Sequence, residues 1–382
     1  MLAESKAEIH GDFEEAYRPA VDAFESNFEH EQEIGASFCL YRDGKKVVDI
    51  WAGHQDEART KPWEKDTLVN VWSTTKGMMA LCIGRLVDQG LLDYQAPVAK
   101  YWPEFAVNGK ENITVAQLMS HQAGLCGTSR AVSQDEFIDT DLMAMLLAAE
   151  TPHWEVGANS GYHALSIGPL TDELVKRVTG KTLGAYFRDE IAEPFGIDFH
   201  MGLPPEENDR VATLVHDGGP QAGGPEHFNE YQNLAYNNIP VEPSIGNRLD
   251  WRAQGTPAAG GQSNARAVAQ IYSALSTDRK IDGVEIISQD GLDAATKIQI
   301  QNKDLVLRVN VCWSAGFVVN SSTGIFGPSP SAFGHGGWGG SFAFADPANR
   351  IGVAYTMNFM REFGDKPDSR IYALIDGVYK SL

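Results

Sequence analysis

Between residues 13 and 29, Phe13, Tyr17, Val21, Phe24 and Phe28 recur at three- to four-residue spacing with acids between them, which predicts an amphipathic helix. Two strand-like runs follow, Ala36 to Tyr41 and Lys46 to Trp51. The Arg42-Asp43-Gly44-Lys45 stretch between them carries the Asp-Gly signal of a hairpin turn. A longer apolar run, Met78 to Val87, predicts a helix that starts near Ser73 and ends near Gln89-Gly90, with glycine as its cap. Helical spacing continues over residues 114–120, 138–150, 162–178 and 183–192, and returns at 265–276 and 289–296. Strand-like runs then occupy 305–310, 315–320, 341–345 and 351–357, before a last amphipathic helix over roughly 370–379.

Residues 204–262 break this pattern. They are rich in Pro, Gly, Asn and Gln, most densely from Gly218 to Pro225, yet include Phe228, Tyr231, Tyr236 and Trp251. A long irregular stretch in a compact protein is commonly a functional loop, and its aromatics favour an ordered cover over a site. Strands at both ends and helices between them predict an α+β fold of α/β sandwich type. Its antiparallel sheet is built from both termini and flanked by terminal helices. Roughly residues 1–70 and 300–382 then form an α/β subdomain, and roughly 71–299 a mainly helical one, within a single unit of 382 residues. A cleft between the two is the expected site.

Composition narrows the function. Hydrophobic residues at 43% and charged residues at 21% are ordinary for a globular protein. Acids outnumber bases 51 to 31, a net charge of −20, and no Lys/Arg cluster interrupts that field, which argues against nucleic acid and anionic lipid as partners. No apolar run reaches the roughly 18–20 residues of a membrane helix. The opening residues, Met1 to Glu8, lack the basic start and apolar stretch of a secretion signal. Cys39, Cys82, Cys126 and Cys312 are far apart and no pair has metal-ligand spacing, so they read as reduced, buried thiols of a cytoplasmic protein with no metal and no cofactor.

The chemistry starts at Val71-Trp72-Ser73-Thr74-Thr75-Lys76-Gly77. On a helix the i,i+3 spacing brings Ser73 and Lys76 to one face. The hydroxyl then sits at the positive end of the helix dipole, and a buried lysine is pushed toward its neutral, basic form. Ser-x-x-Lys also recurs by chance, and a Ser/Thr-rich helix entry is often only a cap, so the motif needs company. Two stretches supply it. Trp154 to Ala164 is a polar, glycine-bearing loop that delivers Tyr162 and His163 at the expected start of a helix. Phe333-Gly334-His335-Gly336-Gly337-Trp338-Gly339-Gly340-Ser341 allows close approach to the main chain directly before a strand.

With these residues the chain resembles the serine β-lactamase and penicillin-binding-protein superfamily, and within it the family VIII carboxylesterases. Ser73-Thr74-Thr75-Lys76 matches the Ser-x-x-Lys element, Tyr162-His163-Ala164 the Tyr-x-Asn element and His335-Gly336-Gly337 the Lys-Thr-Gly element, in order and spacing. The phrases around Leu91-Leu92-Asp93, Tyr101 to Phe105 and Leu118 to Leu125 are similar as well, so the likeness spans roughly residues 30–360. The resemblance implies a serine esterase with Ser73 as nucleophile, Lys76 and Tyr162 sharing the proton transfer, and the backbone N–H groups of Ser73 and Trp338 as an oxyanion hole. It implies a small-molecule ester as partner, with His335, Gly336, Gly337, Trp338, His163 and Trp154 lining the substrate. Alternatives within the fold are a β-lactamase, a D-amino-acid peptidase or amidase, and an acyltransferase; a non-catalytic scaffold is the fourth.

Two positions depart from the β-lactamase pattern. Ala164 replaces the asparagine that contacts a substrate amide, and His335 replaces the lysine that would pair with a substrate carboxylate; both changes favour neutral acyl esters. Keeping Lys76 neutral at pH 7 costs roughly 4 kcal/mol. The sequence leaves open whether neutral Lys76 or a Tyr162 phenolate, stabilised by charged Lys76, takes the proton. Trp72, Trp154 and Trp338 are expected to crowd the cleft and favour short acyl chains. His121 reads as support for a turn below the site, and Arg361 and Asp365 as solvent-facing.

Overall fold

The strand-bearing ends of the chain meet in one nine-stranded antiparallel sheet. The computed structural model describes residues 7–29, 33–217, 227–321, 323–361 and 368–382. Gly218 to Pro225, the residues before Ala7, and Asp365 lie outside the described residues. The sheet is formed by β1 (Ile9–Phe13), β2 (Gly35–Arg42), β3 (Lys45–Gly53), β4 (Ile300–Lys303), β5 (Asn310–Trp313), β6 (Val318–Val319), β7 (Phe333–Gly336), β8 (Phe342–Asp346) and β9 (Ile351–Met357). Their order across the sheet is β1-β3-β2-β9-β8-β7-β6-β5-β4. The β2–β3 hairpin turns on Asp43 and Gly44, both at positive φ (50° and 78°), as the Asp-Gly signal requires.

The sheet's two faces carry different helices. Phe38 and Tyr355 are cross-strand partners, and both rings pack on Phe24 of α1 (Arg18–Glu29). The next pair along, Ser37 and Thr356, points to the other side. The two hydroxyls share a 2.8 Å hydrogen bond, and the Ser37 hydroxyl accepts from Ala265 N at the start of α4 (Ala265–Ser276). The remaining long helices are α2 (Thr75–Asp88), α3 (Ile167–Thr179) and α5 (Ser369–Lys380), the last packed on α1. No helix among the described residues is long and apolar enough to cross a membrane.

Several boundaries differ from the periodicity. The first helix begins at Arg18 because Ile9–Phe13 pairs with β3 at the sheet edge, Phe13 opposite Val48, while the Arg18 guanidinium covers the Phe13 ring at 4.2 Å. Residues 305–309 form a turn and bend rather than a strand, because the buried Asp304 carboxylate accepts the N–H groups of Val306 and Leu307; only Asn310, where β5 begins, is extended as expected. The strand expected over 315–320 shrinks to Val318–Val319, since Gly316 at φ 104° breaks the run; β5, which precedes it, has no counterpart in the predicted pattern. Residues 138–150 divide at Asp139, which caps a new helix by accepting Leu142 N. Within 204–262 the described parts are ordered, with 3-10 turns at Pro205–Arg210 and Pro243–Asn247 and a helix at Leu249–Gln254.

Gly352 in β9 sets how closely α4 approaches the sheet. A Cβ at that position would lie 2.1 Å from Ser273 N and 2.7 Å from Ala269 O, both backbone atoms of α4. Gly352→Val is therefore expected to cost at least about 2 kcal/mol by overpacking, read as a lower thermal midpoint than wild type.

Candidate active site

Ser73 lies in a 3-10 turn, Trp72–Thr74, that leads into α2. Trp72 holds φ 47°, a left-handed conformation that a bulky L-residue adopts only under strain from its surroundings. It is fixed by burial and by its indole N–H, which donates to Met360 Sδ at 3.2 Å. Ser73 itself keeps some exposure amid buried neighbours. Lys76, one turn on, is fully buried. Its Nζ is 3.1 Å from Ser73 Oγ, 2.6 Å from the Ala164 carbonyl and 2.9 Å from the Ala258 carbonyl. Burial pushes this amine well below the usual lysine range, and no other group offsets the effect. A neutral amine has two N–H groups and one lone pair. In that neutral form the two N–H groups would go to the carbonyls, which can only accept, and the lone pair would face the Ser73 hydroxyl.

Tyr162 stands next to this pair. Lys76 Nζ is 4.9 Å from its ring centroid, and burial raises its phenol above the ordinary range, opposed by a hydrogen bond with Ser73. The tyrosine lies in an irregular stretch five residues ahead of α3, not at the helix start that the periodicity predicts. Asp304 explains the difference. Its carboxylate, in a residue 1% exposed, accepts Tyr162 N (2.9 Å), Val306 N, Leu307 N, the Ser160 hydroxyl (2.8 Å) and the Trp313 indole N–H (3.2 Å). Trp313 in turn stacks on the Tyr162 ring, 5.5 Å between centroids and 6° from parallel. Neither Asp304 nor Trp313 is marked in the sequence: the acid stands between polar Gln301-Asn302-Lys303 and the predicted strand that begins at Leu305, and the tryptophan falls between the two predicted strands.

The glycine-rich turn after β7 closes the other side. Gly337 N donates to Ser341 O (2.6 Å) and Gly340 N to Gly337 O (3.3 Å), which places Trp338 at the corner. Ser341 Oγ donates to Val71 O at 2.8 Å and lies 3.1 Å from Thr74 Oγ1, stapling the turn to the segment that carries Ser73. A Cβ at Gly337 would lie 2.1 Å from Ser341 Oγ and 2.4 Å from Val71 O, so only glycine fits. His335 is buried, its ring 6.0 Å from that of Tyr162. Burial pushes its imidazole down to about 3. Its Nδ1 donates to Gly336 O (2.7 Å), which leaves Nε2 as a bare lone pair without a partner.

Residues 21–376 match the family described as Beta-lactamase. The chain belongs to the beta-lactamase family. Its likeness to the family VIII carboxylesterases holds in structure as well. It superposes on a crystal structure of a family VIII carboxylesterase with TM-score 0.92 and 42% identity, over 98% of this chain and 100% of that one. A penicillin-binding protein homologue from Caulobacter crescentus gives TM-score 0.91 and 38% identity, covering 98% and 100%. In sequence it is 35% identical to the esterase/beta-lactamase LipL of Mycobacterium tuberculosis, over 92% of this chain and 83% of that protein.

Within this beta-lactamase-family site two expected lining residues are placed elsewhere. His163 is fully buried and spends both ring nitrogens on backbone, Nδ1 on Gly161 O (2.6 Å) and Nε2 on Leu125 N (3.0 Å), so it ties two loops together rather than facing substrate. Trp154 is half-buried, donates its indole N–H to Asn159 O and wedges edge-on between His163 and Tyr231. Trp72 is likewise buried below the cleft, which leaves Trp338 as the tryptophan of the expected three that combines a place beside Ser73 with exposure. His121 supports the site from beneath, accepting His163 N and packing edge-on against Tyr162 and Trp313. The irregular segment contributes at its middle and near its end: Tyr236 lies close enough to Tyr162 to raise its phenol further, and Ala258 holds Lys76.

Asp304→Asn tests the carboxylate's role. An amide can turn its oxygen to only one of the two sets of donors and must face the other with N–H groups. The variant is expected to lose about 2–4 kcal/mol, measured as a lower midpoint of urea unfolding.

Proposed function

We propose that the protein is a serine carboxylesterase that hydrolyses small to medium esters through an acyl-enzyme at Ser73. The observation that carries this reading is the buried Lys76 amine, held by two carbonyls with its remaining valence turned to the Ser73 hydroxyl. As Ser73 Oγ forms its bond to the ester carbonyl carbon, Lys76 takes the hydroxyl proton. Negative charge gathers on the carbonyl oxygen, where the N–H groups of Ser73 and Trp338 receive it; one such donor is worth about 3–4 kcal/mol. The C–O bond to the alcohol then breaks, and the Tyr162 phenol supplies its proton, replenished from Lys76. Water repeats the sequence and releases the acid; a second alcohol in its place gives acyl transfer. Of the two proton-transfer schemes, the lowered amine and raised phenol favour neutral Lys76 as base over a standing Tyr162 phenolate.

A neutral His335 in place of a cation, and Ala164 in place of an amide side chain, support esters over carboxylate-bearing lactams and peptides. β-Lactam hydrolysis is the second reading, favoured by the dual name of the mycobacterial relative. The four buried, unpaired cysteines support a reducing, cytoplasmic setting.

Ser73→Ala should abolish hydrolysis of p-nitrophenyl butyrate, and Lys76→Arg, whose guanidinium stays protonated, should lower kcat by roughly 10²–10⁴; near-wild-type rates in either would contradict the mechanism. The sign of the pH dependence follows from the base. Activity requires unprotonated Lys76, so the rate falls as pH drops through its lowered pKa, and the acid limb of the profile lies well below that of an ordinary lysine. Separately, p-nitrophenyl butyrate should be favoured over nitrocefin by roughly 10- to 100-fold in kcat/KM, the scale of one lost charge-assisted hydrogen bond. A series of acyl chains should peak at short lengths.

A further inference from the structure

Behind the glycine-rich turn, on the side away from Ser73, lies a buried ionic cluster that the reaction described above does not use. Arg370, at the start of α5 and 0% exposed, donates from Nη1 to Glu33 Oε1 (2.5 Å) and Phe359 O (2.9 Å), and from Nη2 to Asp368 Oδ2 (2.7 Å). Tyr355 donates to the same Glu33 oxygen. Nη2 also donates to the carbonyl of Gly339 at 2.7 Å, and Arg361 N reaches that carbonyl at 3.3 Å.

That carbonyl begins a chain of two peptide groups. In a trans peptide the C=O and the following N–H point in opposite directions, and no cis peptide occurs among the described residues. With Gly339 O drawn to Arg370, the Gly340 N–H of the same plane is turned the other way, where it meets Gly337 O at 3.3 Å. With Gly337 O so engaged, the Trp338 N–H of that second plane is turned outward from the turn. Gly339 and Gly340 adopt φ 85° and 130°, and a Cβ at Gly340 would lie 2.6 Å from Arg370 Nη2, so the turn is moulded to the guanidinium.

We propose that Arg370 is a positioning residue for the oxyanion hole, acting on the Trp338 N–H through the 339–340 and 337–338 peptide groups. The guanidinium fixes the tilt of both planes. Hydrogen bonds in series also polarise one another, so a charge at one end makes the last N–H a stronger donor. Glu33, Asp368 and Tyr355 hold the guanidinium in place. This rests on the reading of Trp338 N–H as an oxyanion donor, and the test separates the two.

The test compares Arg370→Lys with wild type on an ester and on the thionoester of the same acid and alcohol, in which sulfur replaces the carbonyl oxygen and hydrogen-bonds weakly to the hole. The expected result is a fall in kcat of about tenfold on the ester, KM within twofold, and a several-fold fall in the ester-to-thionoester ratio of kcat/KM. A general loosening of the fold would lower both substrates together and leave the ratio unchanged; that result, or wild-type kcat in a folded variant, overturns the proposal. If Arg370→Lys does not fold, Asp368→Asn weakens the hold on the same guanidinium nearer the surface. It should shift the ratio in the same direction by about threefold, and an unchanged ratio there overturns the proposal equally. Ser73→Ala, run beside them, reports on the underlying esterase reading: residual turnover in it removes that reading, whereas an inactive Ser73→Ala with an unmoved ratio in the other variants removes only the role of Arg370.

Discussion

A buried amine without a counter-ion is the constraint on which the site depends. Lys76 has no carboxylate partner among the described residues, only two carbonyls and a hydroxyl. An ammonium so placed has no carboxylate to offset its desolvation, and burial pushes the amine well below the usual lysine range, toward its unprotonated form. Three separate parts of the chain are needed to hold it that way: α2 supplies the amine, the approach to α3 supplies the Ala164 carbonyl, and the end of the irregular segment supplies the Ala258 carbonyl. Once both carbonyls are counted, the Ser73 hydroxyl is the remaining hydrogen-bond partner of the amine.

Other parts of the site hold charge in the opposite manner. Asp304 remains buried because five donors surround it, and Arg370 because Glu33 and Asp368 flank it. Burial raises the Glu33 carboxyl to about 7, against the pull of the guanidinium. Lys76 is thus buried without an opposite charge, whereas Asp304 is held by five donors and Arg370 by two carboxylates. The latter two anchor the tyrosine loop and the glycine-rich turn.

Much of this was legible in the sequence, for reasons that differ by element. The β2–β3 hairpin, α2, α4, β9 and α5 follow from local apolar runs, which bury one face in α5 and nearly every residue in α2, α4 and β9. Ser73, Lys76, Tyr162 and the His335 strand could be picked out because their spacing is local and their residue types are chemically distinctive. What could not be read depends on contacts made across the chain. Tyr162 lies outside its helix because an acid 142 residues later captures its N–H. His163 follows it in the sequence and yet turns away, since Leu125 N takes its free nitrogen. Phe13 belongs to a strand because β3 offers it an edge. Propensity carries no record of such partners.

The pairing of β2 with β9 has a consequence for biosynthesis. Ser37 and Thr356, which share a hydrogen bond at the centre of the sheet, are 319 residues apart. The first hairpin therefore leaves the ribosome with one hydrogen-bonding edge open, and it waits for nearly the whole polypeptide before its neighbour exists. Such long-range pairing folds slowly and exposes a sticky border meanwhile. Translation pauses late in the message, or chaperones that shield strand edges, would bear on the yield of this protein more than on that of a helical protein of equal size.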